Sequence, residues 1–493
     1  MSKKSLQHTM NRLTAVLFVG VLCTPALLHF FTENSTTYIS FTERRNVEPL
    51  PKMPVSLDEL SDYPAKVSAH LDDHFGLRRG LLENYGQLMF GLGVSMSPEV
   101  TLGKDGWLFY DGNNINNAYR GRHPFSEEKL IHWTSQFLAY QSWLEDRDIP
   151  LLLVAIPEKQ EVKTEFLPDW LERGAATRLD QLTEHILQNE LDLPILDLKN
   201  DLIAGEIERS TYYKTDTHWN DYGGFIAYQA IMNRLSETFP ELEPKSDVTF
   251  SLEERTNSDL ARFIYIPDYE EPFHYVAEFK DPIDSTIETM RKADFIFEPA
   301  SYERAKRASN IAHFESPLPD QPKVLLIRDS FGSYLLKYFA ATFQDLWVAP
   351  HTGMQEYHED LIERVKPDVV IYAFAERQLN VQPKQFGNPF NGIEFGISMA
   401  QQENESVPNS KELVVSFWTA STKELRVNLV VNEKLYGLNY TAHPEIDTQY
   451  PNHPHKSGYE GRIPNADLKD ENNSLKILVN GLVFREMHFS IAP

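Results

Sequence analysis

Three residue types capable of acyl chemistry stand out in this chain. The stretch YYKTDTHWNDYGG, residues 212–224, places Asp216 two positions before His218. A carboxylate beside an imidazole suits an orienting acid and a general base. Such a pair needs a nucleophile, and a serine supplies one only when a base lies within hydrogen-bond reach. KVLLIRDSFGSYL, residues 323–335, offers Ser330 where an apolar run gives way to a helical pattern. Its N–H would lie near a helix N-terminus, suited to stabilising an oxyanion. The plainer alternatives are a helix cap at Asp329-Ser330, a solvated turn at 216–218, or a metal pair. A metal would need further ligands, and His351 and His358 have no tight ligand spacing.

The elements that must position these residues read as α/β. IPLLLVAIPEK is a continuous apolar run of strand length, as in strands buried on both faces. LPILDL, KVLLIRDS, DLWVAP and DVVIYAFAE read as further strands. Helical spacing covers 57–93, 126–147, 176–190, 221–237, FGSYLLKYFAATF and MQEYHEDLIERV, with Asn220 or Asp221 as a cap. This alternation predicts a three-layer α/β/α sheet with right-handed crossovers. VTLGKDGWLFYDG predicts a hairpin around Lys104–Gly106. Residues 265–318 are charged and proline-dotted, and no firm structure is assigned to them. After QQENESVPNS, read as a linker, residues 405–493 carry strand patterns and predict a small β module. Its Trp418, Tyr436, Tyr440, Tyr450 and Tyr459 suit either sugar stacking or a core.

With 493 residues, two or three domains are expected. A hydrophobic share of 41% suits a folded chain. The net charge of −25 argues against a nucleic-acid partner and would repel an anionic polysaccharide unless bases gather locally. The single cysteine, Cys23, excludes an intrachain disulfide and any cysteine-based zinc site. Lys3, Lys4 and Arg12 precede an apolar run from Leu13 to Phe31. The expectation is a cytoplasmic tail at 1–12 and a transmembrane anchor at 13–31, with a cleaved signal peptide or a buried core helix as alternatives. A stem with N-terminal helices, 32–92, would lead into the main domain at 93–400.

Several segments, in this order, resemble the alginate O-acetyltransferase family of the AlgJ and AlgX type. They are ERRN with PLPKMP, DDHFGLRRGLL, LGKDGWLFY, IPEKQEVKTEFLP, YYKTDTHWNDYGGFIAY, SDLARF, LLIRDSFGSYL and AERQL, spanning about residues 40–390. The resemblance implies an SGNH-hydrolase-like domain, circularly permuted, because Asp216 and His218 precede Ser330. It implies Ser330 as nucleophile, His218 as base and Asp216 as its partner. It further implies acetyl transfer to an exopolysaccharide with no tightly bound cofactor; a secreted carbohydrate acetylesterase with the same triad and a non-catalytic polysaccharide-binding scaffold are the alternatives, and no metal is expected. The acetyl group would come from a membrane-bound O-acyltransferase partner, and the catalytic domain would be periplasmic on an inner-membrane anchor, or soluble there after signal cleavage. Arg328 departs from the Gly-Asp-Ser pattern of related hydrolases and is a candidate for holding an anionic sugar. Arg377, Lys159 and Tyr213 are further substrate-binding candidates, against salt-bridge, solvated-lysine and packing alternatives. Trp219 reads as packing.

Overall fold

A computed structural model describes residues 3–29, 42, 45–74, 77–280, 285–291, 296–307, 310–318, 321–351, 358–380, 394–403, 411–421, 427–441, 455–469, 471–479 and 482–490. The central sheet contains Leu151–Ile156 (β1), Ile195–Asp197 (β2), Thr286–Arg291 (β3), Ile296–Pro299 (β4), Ala312–Glu315 (β5), Val324–Arg328 (β6), Asp345–Pro350 (β7) and Val369–Ala375 (β8). Their order is β2-β1-β8-β6-β7-β5-β3-β4. The first five are parallel, and β5, β3 and β4 extend the sheet antiparallel. Residues 265–318, left without structure by the sequence pattern, thus supply three strands of this sheet.

Alternation along the strands builds two cores. Leu152, Val154, Leu326 and Ile371 face one side, where they meet Tyr228, Ile231 and Met232 of helix Asp221–Leu235 and Phe339 of helix Leu336–Thr342. Leu153, Leu325, Ile327 and Val370 face the other, against Phe137 and Tyr140 of helix Glu127–Glu145, Leu182 of Arg178–Gln188 and Ile362 of His358–Val365. Period-two side chains between two helical layers are the three-layer α/β/α arrangement expected. Because β1, β8, β6 and β7 are parallel, their C-terminal ends share one edge, where Glu158, Arg377, Ser330 and His351 emerge.

The C-terminal module is a sandwich of two four-stranded antiparallel sheets. Leu413, Val415, Phe417, Leu429, Leu475 and Ile477 fill its interior. Strand Glu394–Glu403 pairs with Lys411–Ser421 over ten residues, so the module begins before the boundary expected at 405. The stretch read as a linker contains the end of that strand. Tyr436 and Tyr459 are core residues, and Trp418 is half-buried. Tyr450 and the side chain of Tyr440 lie outside the described residues. The sandwich meets the main domain where Val430, Leu478 and Leu435 pack on Ile131.

The first segment forms a helix, Lys3–His29. Among the described residues no helix is long and apolar enough to cross a membrane, so the anchor expected at 13–31 is not supported. Pro25 and His29 interrupt the apolar run, and residues 30 and 31 lie outside the described residues. Further on, Arg45 pairs with buried Asp73 of helix Leu57–Asp73, tying the described part of the stem to that helix.

Candidate active site

The 212–219 loop is closed by a bridge between Tyr212 and Trp219 and by the Tyr213 N–H donating to the His218 carbonyl. Its tip, Thr215-Asp216-Thr217, is held by partners from four other segments. Glu271 accepts from the N–H groups of Lys214 and Thr215. Asp259 accepts from the Thr217 N–H. The Leu108 N–H donates to the Lys214 carbonyl, and Lys159 Nζ donates to the Asp216 carbonyl at 2.6 Å. Asn220 caps the following helix by accepting from the Gly223 N–H. A Cβ at Gly224 would come within 3.0 Å of the Tyr334 carbonyl, so glycine there lets this helix lie against the nucleophile turn.

Ser330 lies one residue beyond Asp329, which follows β6, and opens the 3-10 turn Phe331–Tyr334. Asp329 pins that turn: its carboxylate accepts from the Phe331 N–H at 2.9 Å and from the Ala375 N–H, at the end of β8, at 2.8 Å. The buried Trp219 indole donates to the Phe331 carbonyl at 3.0 Å and joins the two loops. Trp219 therefore packs, as expected, and also positions.

These loops bring the three residues into one chain of hydrogen bonds. His218 Nε2 lies 2.8 Å from Ser330 Oγ, and His218 Nδ1 lies 2.8 Å from Asp216 Oδ1. Ser330 is exposed, His218 half-buried and Asp216 buried. Arg255 donates to Asp216 Oδ2 at 2.6 Å, with its guanidinium 4.3 Å from the centre of the Tyr213 ring. Burial works against the Asp216 carboxylate. The hydrogen bond from His218 and the charges of His218 and Arg255 outweigh it and hold the group well below the usual carboxylate range. A second acid, Asp259, stands 4.0 Å from His218 Nδ1. Burial and the nearby Asp216 push its pKa up.

Asp216, His218 and Asp259 are also the one group of described residues that could hold a metal ion. His218 Nδ1 and Asp216 Oδ1 are already committed to each other, and Asp216 Oδ2 to Arg255. A cation there would have to break the first contact and sit beside a guanidinium, which favours the acyl-transfer arrangement over a metal centre.

The remaining candidates take other roles. Lys159 is fully buried and donates to the carbonyls of Leu108 and Asp216, so it fastens the hairpin Val100–Tyr110 to the Asp216 loop instead of facing a substrate. Burial pulls its pKa down to about 8. Arg328 is also fully buried. Its guanidinium donates to the carbonyls of Ala305, Lys306, Arg307 and Asp329 and to Ser333 Oγ, leaving no face for a sugar. Arg377 forms a largely buried pair with Glu158, with its Nε 2.8 Å from Oε1. Tyr213 is buried between Arg255 and Tyr334 and serves packing. Sequence reading gave no role to Arg255 or Asp259 and took Asp329 only as part of a helix cap. Only Asp329 carried a signal, its place beside Ser330 after a strand.

A serine just past a central parallel strand, hydrogen-bonded to the histidine of an Asp-x-His loop, is an arrangement capable of acyl transfer. Residues 100–303 match the family model described as "SGNH hydrolase-like domain, acetyltransferase AlgX". The matched span is about two-fifths of the chain. It includes Asp216 and His218, while Ser330 lies beyond it. The chain is 29% identical over 202 residues to "Probable alginate O-acetylase AlgJ" of Pseudomonas aeruginosa, covering 40% of this chain and 49% of that one. It is 27% identical over 198 residues to the protein of the same name from Pseudomonas syringae pv. tomato, covering 40% and 49%. The chain thus spans about half the length of these curated relatives. The structure titled "O-Acetyltransferase Domain of Pseudomonas putida AlgJ" aligns with a TM-score of 0.38 and 19% identity, over 58% of this chain and 94% of that one.

Proposed function

We propose that this protein is a polysaccharide O-acetyltransferase that works through an acetyl-serine at Ser330. The observation that carries the reading is the continuous Asp216–His218–Ser330 hydrogen-bond chain ending on an exposed hydroxyl. His218 Nε2 takes the Ser330 proton as Oγ attacks the carbonyl carbon of an acetyl ester. The Ser330 N–H faces the developing oxyanion. Collapse of the tetrahedral adduct breaks the donor's ester bond, and His218 returns the proton to the leaving oxygen. A sugar hydroxyl then attacks acetyl-Ser330, gives its proton to His218 and leaves as the acetyl ester, while the same proton restores Ser330. Asp216, kept ionised by its hydrogen bond with His218 and by Arg255, holds the imidazole in the productive tautomer and offsets its transient charge.

Transfer instead of hydrolysis requires an acceptor held close enough to outcompete water. The family resemblance supports an alginate-like or other exopolysaccharide in that role. It also supports a membrane-bound O-acyltransferase as donor partner and a location outside the cytoplasm. Leu13, Val16, Leu17, Phe18 and Val21 on helix Lys3–His29 are each more than half exposed, an apolar surface that contact with a membrane would cover. The deciding experiment is mass spectrometry of the protein after brief incubation with a neutral acetyl ester, with and without an oligosaccharide. An acetyl adduct on Ser330 that passes to the sugar is expected, and none in Ser330→Ala. An adduct that passes only to water would make the protein an esterase. Equal acetylation of sugar by Ser330→Ala would remove the acetyl-serine altogether.

A further inference from the structure

Lys306 is a cation near the triad that the triad does not use. Lys306 directly follows the short helix Tyr302–Ala305 and is half-buried. Its ammonium lies 4.7 Å from the centre of the Tyr334 ring. That ring lies 5.8 Å from the His218 imidazole and 6.0 Å from the Tyr213 ring, so it forms the wall between the lysine and the base. Two other cations around this wall are spent. Arg255 holds Asp216, and Lys337 holds Asp221. Asp221 also accepts from the Ala277 N–H. Among the described residues Lys306 forms no ion pair, and its ammonium donates to no acceptor. Burial lowers its pKa, as it does for a cation short of counter-charge, with Lys337 and Arg255 pushing the same way against Asp221 and Glu303.

The position of this lysine is built and not incidental. The Lys306 carbonyl accepts from Arg328 at 3.2 Å and from Ser333 Oγ at 2.9 Å. Arg328 also takes the carbonyls of Ala305 and Arg307, each at 3.2 Å. Arg328 stands two residues before Ser330, and Ser333 three after it. The segment that carries Lys306 is therefore fastened to the nucleophile turn from both sides. A buried guanidinium whose terminal nitrogens serve carbonyls and a hydroxyl is costly to desolvate. What the fold gains here is a fixed geometry between Ser330 and an unused ammonium. A chain of net charge −25 needs such a local cation to hold an anionic sugar.

We propose that Lys306 binds a carboxylate of the acceptor sugar, and that Arg328 positions it against the Ser330 turn. The assignment deepens the transferase reading and rests on it. A neutral acetyl donor makes no demand on this ammonium, whereas a uronic acid acceptor brings a carboxylate to this part of the site.

The test uses the full chain, a neutral acetyl ester as donor, and two acceptors of equal length, an oligouronate and a neutral oligoglucoside. The readout is the ratio of kcat/KM for the two. In Lys306→Met the ratio is expected to fall about tenfold, mainly through KM, as one charge-assisted hydrogen bond implies. Lys306→Arg should keep it within about threefold of the parent, since the charge is retained. Added salt should lower the ratio in the parent and leave it flat in Lys306→Met. If Lys306→Met lowers the unfolding temperature, Lys306→Gln replaces it. Equal loss on both acceptors, or an unchanged ratio, overturns the assignment while leaving acetyl transfer intact. A parent protein that acetylates Ser330 but passes the group to neither sugar overturns the transferase reading, and this assignment with it.

Discussion

At the scale of single residues, charge at a strand end proved ambiguous. Lys159 and Arg328 both follow or end apolar runs that lead to the site, and both read as substrate ligands. In the fold both turn inward onto backbone carbonyls, partners that no side-chain pattern announces. Asp216, His218 and Ser330 were legible because each sits in a short motif next to a strongly patterned element. Arg255 and Asp259 were not, because Arg255 lies in the irregular stretch 253–258 and Asp259 opens a helix of only five residues. A prediction follows for Lys159. Lys159→Met removes both of its hydrogen bonds and leaves two buried carbonyls unsatisfied, at about 1–3 kcal/mol. It should lower the denaturant midpoint and slow ester turnover together, because the Asp216 loop loses a tether. Full turnover in a destabilised variant, measured by urea unfolding beside a steady-state ester assay, would show that the tether has no bearing on the base.

At the scale of elements, the parallel strands were readable and the antiparallel ones were not. β1, β6 and β8 are buried on both faces and appear as unbroken apolar runs. Strands such as TIETMR and AHFE alternate polar and apolar residues within four to six positions, too short a span to separate them from loop. The turn after β8 adds a pH-sensitive element. Glu376 is buried and accepts from the Leu179 N–H at the start of helix Arg178–Gln188. Burial, with help from Glu161 and Glu158, pushes its pKa up to about 8. The folded protein therefore keeps a proton that the unfolded chain, with an ordinary glutamate, releases near pH 4.5. Stability from this group is fully present below that value and declines as pH rises through about 8. Thermal unfolding between pH 5 and 9 should show this slope in the parent, and Glu376→Gln should flatten it. An equal slope in both proteins would assign the pH dependence to other groups.

At the scale of the whole molecule, the main domain and the sandwich are joined through helix Glu127–Glu145. Glu127 accepts from the Leu435 N–H, and Trp133 on the same helix donates to the Leu379 carbonyl, two residues from Arg377. The helix thus touches both the accessory sheet and the turn that follows β8. The expected division at 405 missed the first strand of the sandwich because Glu394–Glu403 is rich in polar residues and gains its identity only from its ten-residue pairing.

The strand order carries a consequence for how the chain acquires its fold. Everything up to residue 303 provides only β1 and β2 at one end of the sheet and β3 and β4 at the other. The four strands between them, β8, β6, β7 and β5, are synthesised afterwards. The early pieces have no sheet partner in common until the late strands insert, so the domain closes from the outside inward. Such long-range pairing makes folding slow and leaves the nascent chain open until most of it has been made. A fragment ending at 303 should be protease-sensitive and lack cooperative unfolding, although it contains the whole family-matched span and both Asp216 and His218. A compact, cooperatively melting fragment would show instead that the two outer pairs fold as units of their own. On the expected behaviour, the base exists as a sequence long before it exists as a site, and the nucleophile arrives with the strands that complete the sheet.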